Sequence, residues 1–180
     1  MKKILLLSLF LLACQTSPIE SDLPLIDEPE TTTFFTSTVE VALVALGDGT
    51  AAGDGIIGCG DRVQMVEKDV SSNSKAGKIK AALETLFAIE GSDYGESGLY
   101  NALYQSDVTV DSVILTSSDT ESAAVEVTLS GNIVSGGTCD DPRIEEQIIQ
   151  TIKANAPVGS TVVATIDGKD LHEYFTLSGL

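Results

Sequence analysis

Residues 75–91 read KAGKIKAALETLFAIEG, and this stretch decides the fold. Ile79, Ala82, Leu83, Leu86 and Phe87 fall at i, i+3, i+4, i+7 and i+8, which puts them on one stripe of an α-helix ending near Gly91. Lys78, Lys80 and Glu84 lie off that stripe. Ser71-Ser72-Asn73-Ser74 just ahead offers several N-cap candidates. A helix with a single apolar stripe needs one sheet face to cover it, so the neighbouring segments settle the architecture.

Upstream, Val39-Glu40-Val41-Ala42-Leu43-Val44-Ala45-Leu46 is aliphatic on both faces, as a central strand would be. Residues 47–60 are glycine-rich and read as a loop or irregular hairpin. Residues 62–66 read as a second, short strand. Downstream, residues 91–106 form a glycine-containing connection with a turn of helix through Leu99 to Leu103. Two strands follow, at 108–116 and 123–130. In the second, Ala123, Val125, Val127 and Leu129 alternate with Ala124, Glu126, Thr128 and Ser130, giving one buried and one wet face. Pro142 is expected as the first residue of another helix, with Asp141 as its N-cap. Ile144, Ile148, Ile149 and Ile152 form that helix's apolar side, and Pro157-Val158-Gly159 stops it. Residues 161–166 are a last strong strand, turned at Asp167-Gly168, and Tyr174-Phe175-Thr176-Leu177 reads as a short edge strand. The order β-β-α-β-β-α-β predicts an α+β fold: a mixed sheet of about four to six strands with two helices packed on one face.

The N-terminus carries a different signal. Met1-Lys2-Lys3 is followed by an apolar run over residues 4–12, interrupted by Ser8, and then by Ala13-Cys14. Charged n-region, short apolar h-region and small residue before the cut are the layout of a secretory signal peptide. The run is too short to span a bilayer, which takes about 20 residues. A cysteine directly after the small residue looks like a bacterial lipobox, so Cys14 is the expected lipidation site. The expected organisation is a lipoprotein signal peptide at 1–13, an acidic tether rich in proline and threonine at 14–38, and one folded domain at 39–180. Pro18, Pro24 and Pro29 punctuate the tether and its carboxylates keep it solvated. Phe34-Phe35 at its end could dock on the domain.

The chain has 180 residues and a formal charge of −17. Its ten basic residues include Lys2 and Lys3, so loss of the leader leaves eight cations against 27 carboxylates. Such a surface opposes binding to nucleic-acid phosphates or anionic headgroups. No tryptophan and 5% aromatic residues leave a mostly aliphatic core. If Cys14 carries lipid, Cys59 and Cys139 are left as an even pair in an oxidising compartment, where two thiols most often pair. His172 is the single histidine, which makes a two-cysteine zinc site poor, and a disulfide is favoured over a metal site or a reactive thiol.

At residues 39–180 the chain resembles the GerMN domain, a module named from a bacterial spore-germination protein and found in many lipoproteins. The resemblance lies in Gly58-Cys59-Gly60-Asp61, Ala81-Ala82-Leu83-Glu84-Thr85-Leu86, Val125-Glu126-Val127-Thr128-Leu129-Ser130-Gly131, Gln150-Thr151-Ile152 and Thr165-Ile166-Asp167-Gly168, taken in order. The long loop at 47–60 and Cys139-Asp140-Asp141-Pro142 depart from the wider pattern; they fit a subgroup with a disulfide from the second-strand entrance to the second helix. The resemblance implies a non-enzymatic role in the cell envelope, sometimes in sporulation or wall metabolism, and no catalytic residues.

Candidate chemistry points the same way. His172 sits between Asp170 and Glu173, but no serine lies in a nucleophile-elbow pattern, so it reads as an exposed tail histidine. Asp48, Asp54 and Asp61 share a glycine-rich stretch without the ligand spacing of a calcium loop. Asp140-Asp141 reads as helix capping, and Glu145-Glu146 diverge on a helix. No catalytic residue, metal or cofactor is therefore expected. The expected function is a lipid-anchored interaction or scaffolding module, held to the membrane by its N-terminal lipid and facing the periplasm or cell surface. Its expected partner is an envelope protein or wall component, bound at a sheet edge or uncovered face. The alternative is an envelope hydrolase, or its accessory subunit, acting on wall polymers.

Overall fold

The computed structural model describes residues 36–47, 56–116 and 123–178. Cys14, the leader, Phe34-Phe35, Asp48 and Asp54 lie outside the described residues. The chain runs through β1 (Thr36–Ala45), β2 (Ile56–Ile57), a 3-10 turn (Gly58–Gly60), β3 (Asp61–Ser71), α1 (Lys75–Phe87), β4 (Leu99–Tyr100) and β5 (Asp107–Leu115). It continues through β6 (Ala124–Asn132), α2 (Asp140–Asn155), β7 (Thr161–Ile166), β8 (Lys169–Asp170) and α3 (Leu171–Ser178). The α+β class and the order of the principal strands and helices are as expected.

The strands divide between two four-stranded sheets, β2-β3-β1-β4 and β5-β6-β7-β8, rather than forming one mixed sheet. In the second sheet β6 and β7 are parallel, joined by the α2 crossover, and the other pairs are antiparallel. The division has a visible cause on β1. One edge of β1 pairs with β3 from Thr36 to Ala45, whereas β4 meets the other edge only at Val44 and Ala45. The rest of that second edge is closed by side chains of α2. Asn155 accepts from Glu40 N at 3.1 Å and donates to Glu40 O at 2.7 Å. Thr151 Oγ1 accepts from Ala42 N at 2.9 Å, and Gln147 Nε2 donates to Ala42 O at 3.0 Å. Four residues of helix rise about 6 Å and two residues of strand about 6.8 Å, so an i, i+4, i+8 column can track alternate strand residues. A further strand cannot pair where α2 has taken the edge.

Both helices contact both sheets, α1 against β1 and β5, α2 against β1 and β7. The stripe expected from residues 75–91 is the buried face of α1: Ile79, Ala82, Leu83 and Leu86 are fully enclosed. Ser74 caps this helix, its Oγ accepting from Gly77 N at 3.0 Å. Ile144, Ile148 and Ile152 bring α2 into the same aliphatic core, which also holds Val125, Val127 and Leu129 of β6.

Local expectations need four corrections. β3 runs for eleven residues, well past the expected 62–66, because its alternation continues through charged residues facing solvent. Leu99 and Tyr100 are a strand, and the turn after them is set by the buried Asn101, whose Oδ1 accepts from Leu103 N and whose Nδ2 donates to Ile89 O. α2 starts at Asp140 with Cys139 as N-cap and no side-chain cap, so Asp140 and Asp141 both act on the helix dipole from its first turn. Residues 174–177 belong to α3, not an edge strand: Leu171 and Phe175 are buried one turn apart, and Asp170 Oδ1 accepts from His172 N and Glu173 N. Asp167 and Gly168 do make the expected turn, both at positive φ, as a two-residue hairpin between β7 and β8 requires.

Candidate functional site

Cys59 and Cys139 are joined, with Cα atoms 5.7 Å apart, linking the turn between β2 and β3 to the N-terminus of α2. Cys59 is exposed and adopts a left-handed φ of 64°, a conformation uncommon for a residue with a Cβ. Gly58 has to be glycine: a Cβ would sit 2.6 Å from Pro142 Cγ, so this close approach of turn to helix leaves no room for a side chain.

Beside the disulfide lies a buried ionic cluster. Asp61 is 1% exposed; its Oδ1 accepts from Gly47 N at 2.8 Å, and its Oδ2 accepts from Arg143 Nε and Nη2, each at 2.6 Å. Arg143 Nη1 reaches Asp140 Oδ1 at 2.8 Å, and its guanidinium lies over the Tyr100 ring. Tyr100 Oη donates to both oxygens of Asp140 at 3.3 Å. Burial opposes the Arg143 charge, but the hydrogen bonds and charges of Asp61 and Asp140 outweigh it and hold its pKa above the ordinary value. Burial, then the charge and hydrogen bond of Asp140, raise the pKa of Tyr100. Disulfide and ion cluster together bind β3, the end of β1, β4 and α2 at one point.

The residues singled out for chemistry are thus placed. Asp61 has both oxygens committed to Gly47 and Arg143, which leaves it unsuited to a cation or to proton transfer. Among the described residues no three His, Cys, Asp or Glu side chains converge as a metal-binding group. His172 is exposed, and its carboxylate partner is neither Asp170 nor Glu173 but Glu145 on α2, with Nδ1 and Oε1 2.9 Å apart. The hydrogen bond to Glu145, and then its charge, raise the pKa of His172. Glu145 and Glu146 diverge, one to His172 and the other accepting from Gln150 Nε2 at 2.9 Å.

The outer face of the second sheet is uncovered at its centre. Ile114, Glu126 and Val163 lie side by side across β5, β6 and β7, with Ile114 52% and Val163 43% exposed. Ser112, Thr128 and Thr165 form the next row. A shallow cleft of about 390 Å³ lies between α3 and the approach to α2, lined by Ile133, Tyr174 and Phe175 among others. Sequence reading missed Gln147, Thr151 and Asn155, whose only signal is a column of uncharged polar residues at i, i+4 and i+8.

No family model and no curated protein matches the chain. Among solved structures, the tandem GerMN domains of the sporulation protein GerM from Bacillus subtilis align with 79% of this chain at 17% identity and a TM-score of 0.47. The alignment spans 43% of that structure. A candidate lipoprotein from Clostridium perfringens aligns with 73% of this chain and 76% of its own, at 10% identity and a TM-score of 0.37.

Proposed function

We propose that this chain is a lipid-anchored interaction module of the bacterial cell envelope, working on the extracytoplasmic side of a membrane and not as an enzyme. The observation that carries the reading is the Cys59–Cys139 bond, because a disulfide with an exposed half-cystine persists in oxidising compartments. A leader over residues 1–13, cut before Cys14, would deliver the chain to such a compartment. Two or three acyl chains on Cys14, at ~0.8 kcal/mol per buried methylene, would hold it there without a spanning helix. The candidate chemical groups are engaged in holding the fold: Asp61 with Arg143, and His172 with Glu145. The open row of Ile114, Glu126 and Val163 supplies surface for a partner. The hydrolase alternative relied on acidic residues near residues 48–61, and Asp61 is already committed.

Fractionation tests the anchor. The wild-type chain is expected with membranes and the Cys14→Ser chain in the soluble envelope fraction; a Cys14→Ser chain that stays membrane-bound removes it. A photo-crosslinker at Ile114 should recover one defined envelope component, and recovery of a nonspecific set would remove the interaction role. Turnover of peptidoglycan fragments by the purified chain would replace this reading with the hydrolase.

A further inference from the structure

Strand β3 has a long edge that no described strand occupies. β3 pairs with β1 along its whole length, but with β2 only at Asp61 and Arg62. Glu40 and Ala42 turn their backbone groups to α2, so Val39, Val41 and Leu43 turn theirs to Lys68, Val66 and Gln64 of β3. Alternation then directs the N–H and C=O groups of Val63, Met65, Glu67 and Asp69 to the far edge. Among the described residues, the polar contact on this edge is Gln64 Nε2 folding back onto Met65 O at 3.3 Å.

The side chains of the same four residues share one sheet face with Glu40, Ala42 and Val44. That face opens on a groove of about 360 Å³ lined by Ile56, Ile57, Val63, Met65, Glu146 and Gln150. Its apolar end is at Val63 and Met65. Past the groove, the same sheet face carries Glu67, directly opposite Glu40 on β1, with Asp69 beyond. Like charges placed opposite each other cost stability, and a cation between them would offset that cost. Along α2 the groove is lined by Glu146 and Gln150, with Lys153 three residues further along the helix, so carboxylates outnumber cations on this side of the sheet.

We propose that an extended, lysine- or arginine-bearing segment of a partner protein adds to this edge as a further strand. Main-chain hydrogen bonds to residues 63–69 would supply affinity, and side-chain alternation would supply selectivity. An antiparallel segment meets Asp69, Glu67, Met65 and Val63 in that order, so its pattern is basic-x-basic-x-apolar-x-apolar. This proposal rests on the reading of the chain as an interaction module and gives it a second surface, with the chemistry of the segment bound there.

The probe is a blocked peptide, Lys-Thr-Lys-Thr-Val-Thr-Leu, added to the isotope-labelled full chain, with a glutamate-for-lysine peptide as control. Amide shifts should concentrate at residues 63–69 and be absent with the control. Binding should weaken at least tenfold in Glu67→Lys, and also in Met65→Pro, which removes an outward N–H while leaving the β1 ladder whole. If Met65→Pro does not fold, Glu67→Lys carries the test alone. Shifts centred on Ile114 and Val163, equal binding of both peptides, or no shift at all would overturn the proposal. A defined partner recovered at Ile114 with no peptide binding at residues 63–69 would overturn this edge and leave the interaction role standing; peptide binding at the edge with a nonspecific crosslink set would remove the Ile114 face and keep the edge.

Discussion

Gln147 donates to the carbonyl of Ala42 at 3.0 Å across 105 residues of sequence, and so ties α2 to the edge of β1 from within the core. The same side chain accepts from Ala102 N at 2.8 Å, which fixes the turn after β4. Gln147 is fully buried, as is Thr151, which serves Ala42 N. Gln147, Thr151 and Asn155 thus replace the strand that would otherwise satisfy this backbone.

Gln147→Leu should leave Ala42 O and Ala102 N buried without partners. At about 1–3 kcal/mol for each unsatisfied group, the expected loss is about 2–6 kcal/mol in denaturant unfolding. Thr151→Val, which strands only Ala42 N, should cost about 1–3 kcal/mol. A loss below that range for both would mean that α2 does not hold the strand edge through these bonds.

The parts of the fold legible in the sequence are those with a period. Ile79, Ala82, Leu83 and Leu86 announce α1 because burial of one stripe leaves the rest of the turn polar. The β1 edge was not legible, because Gln147, Thr151 and Asn155 read as a solvent face until a strand lies beside them. The Asp61–Arg143 pair joins residues 82 positions apart, and nothing local marks either as buried. The cysteine pair was legible by count alone, once Cys14 is set aside for lipid. α3 was misread because residues 174–177 suit a strand locally, whereas Leu171 and Phe175 bury one helical face.

The disulfide should contribute to stability through the 80 residues it spans. In the chain-entropy model a loop of that size is worth about 4.5 kcal/mol, so the Cys59→Ser, Cys139→Ser chain is expected to lose about 4 kcal/mol against the oxidised protein. Intact mass without reductant should show two hydrogens fewer than the thiol form. Two alkylatable thiols at residues 59 and 139 in the exported chain would refute the bond.

Asp61→Asn should be among the most damaging polar substitutions. It leaves the Arg143 guanidinium, 17% exposed, with Asp140 alone, and breaking such a pair typically costs about 3–5 kcal/mol. Asp61→Asn combined with Arg143→Met removes both charges. The double variant is expected to be less destabilised than the two single losses together; simple additivity would show that the pair is not coupled.

His172 and Glu145 should make stability depend weakly on pH, and the sign follows from the shift. The Glu145 hydrogen bond and charge raise the folded-state pKa of His172 above its ordinary 6.5. The imidazolium is therefore favoured by folding. Its contribution is fully present below the unfolded value and fades as pH rises through the folded one. His172 is 78% exposed, so water screens the pair and the energy is small. The titration is the better readout: the His172 ring proton should move through its midpoint above that of an unstructured histidine, and Glu145→Gln should bring the midpoint down. The melting-temperature gap between wild type and Glu145→Gln should narrow as pH rises. A midpoint unmoved by Glu145→Gln would show that the contact between α2 and α3 does not persist in solution.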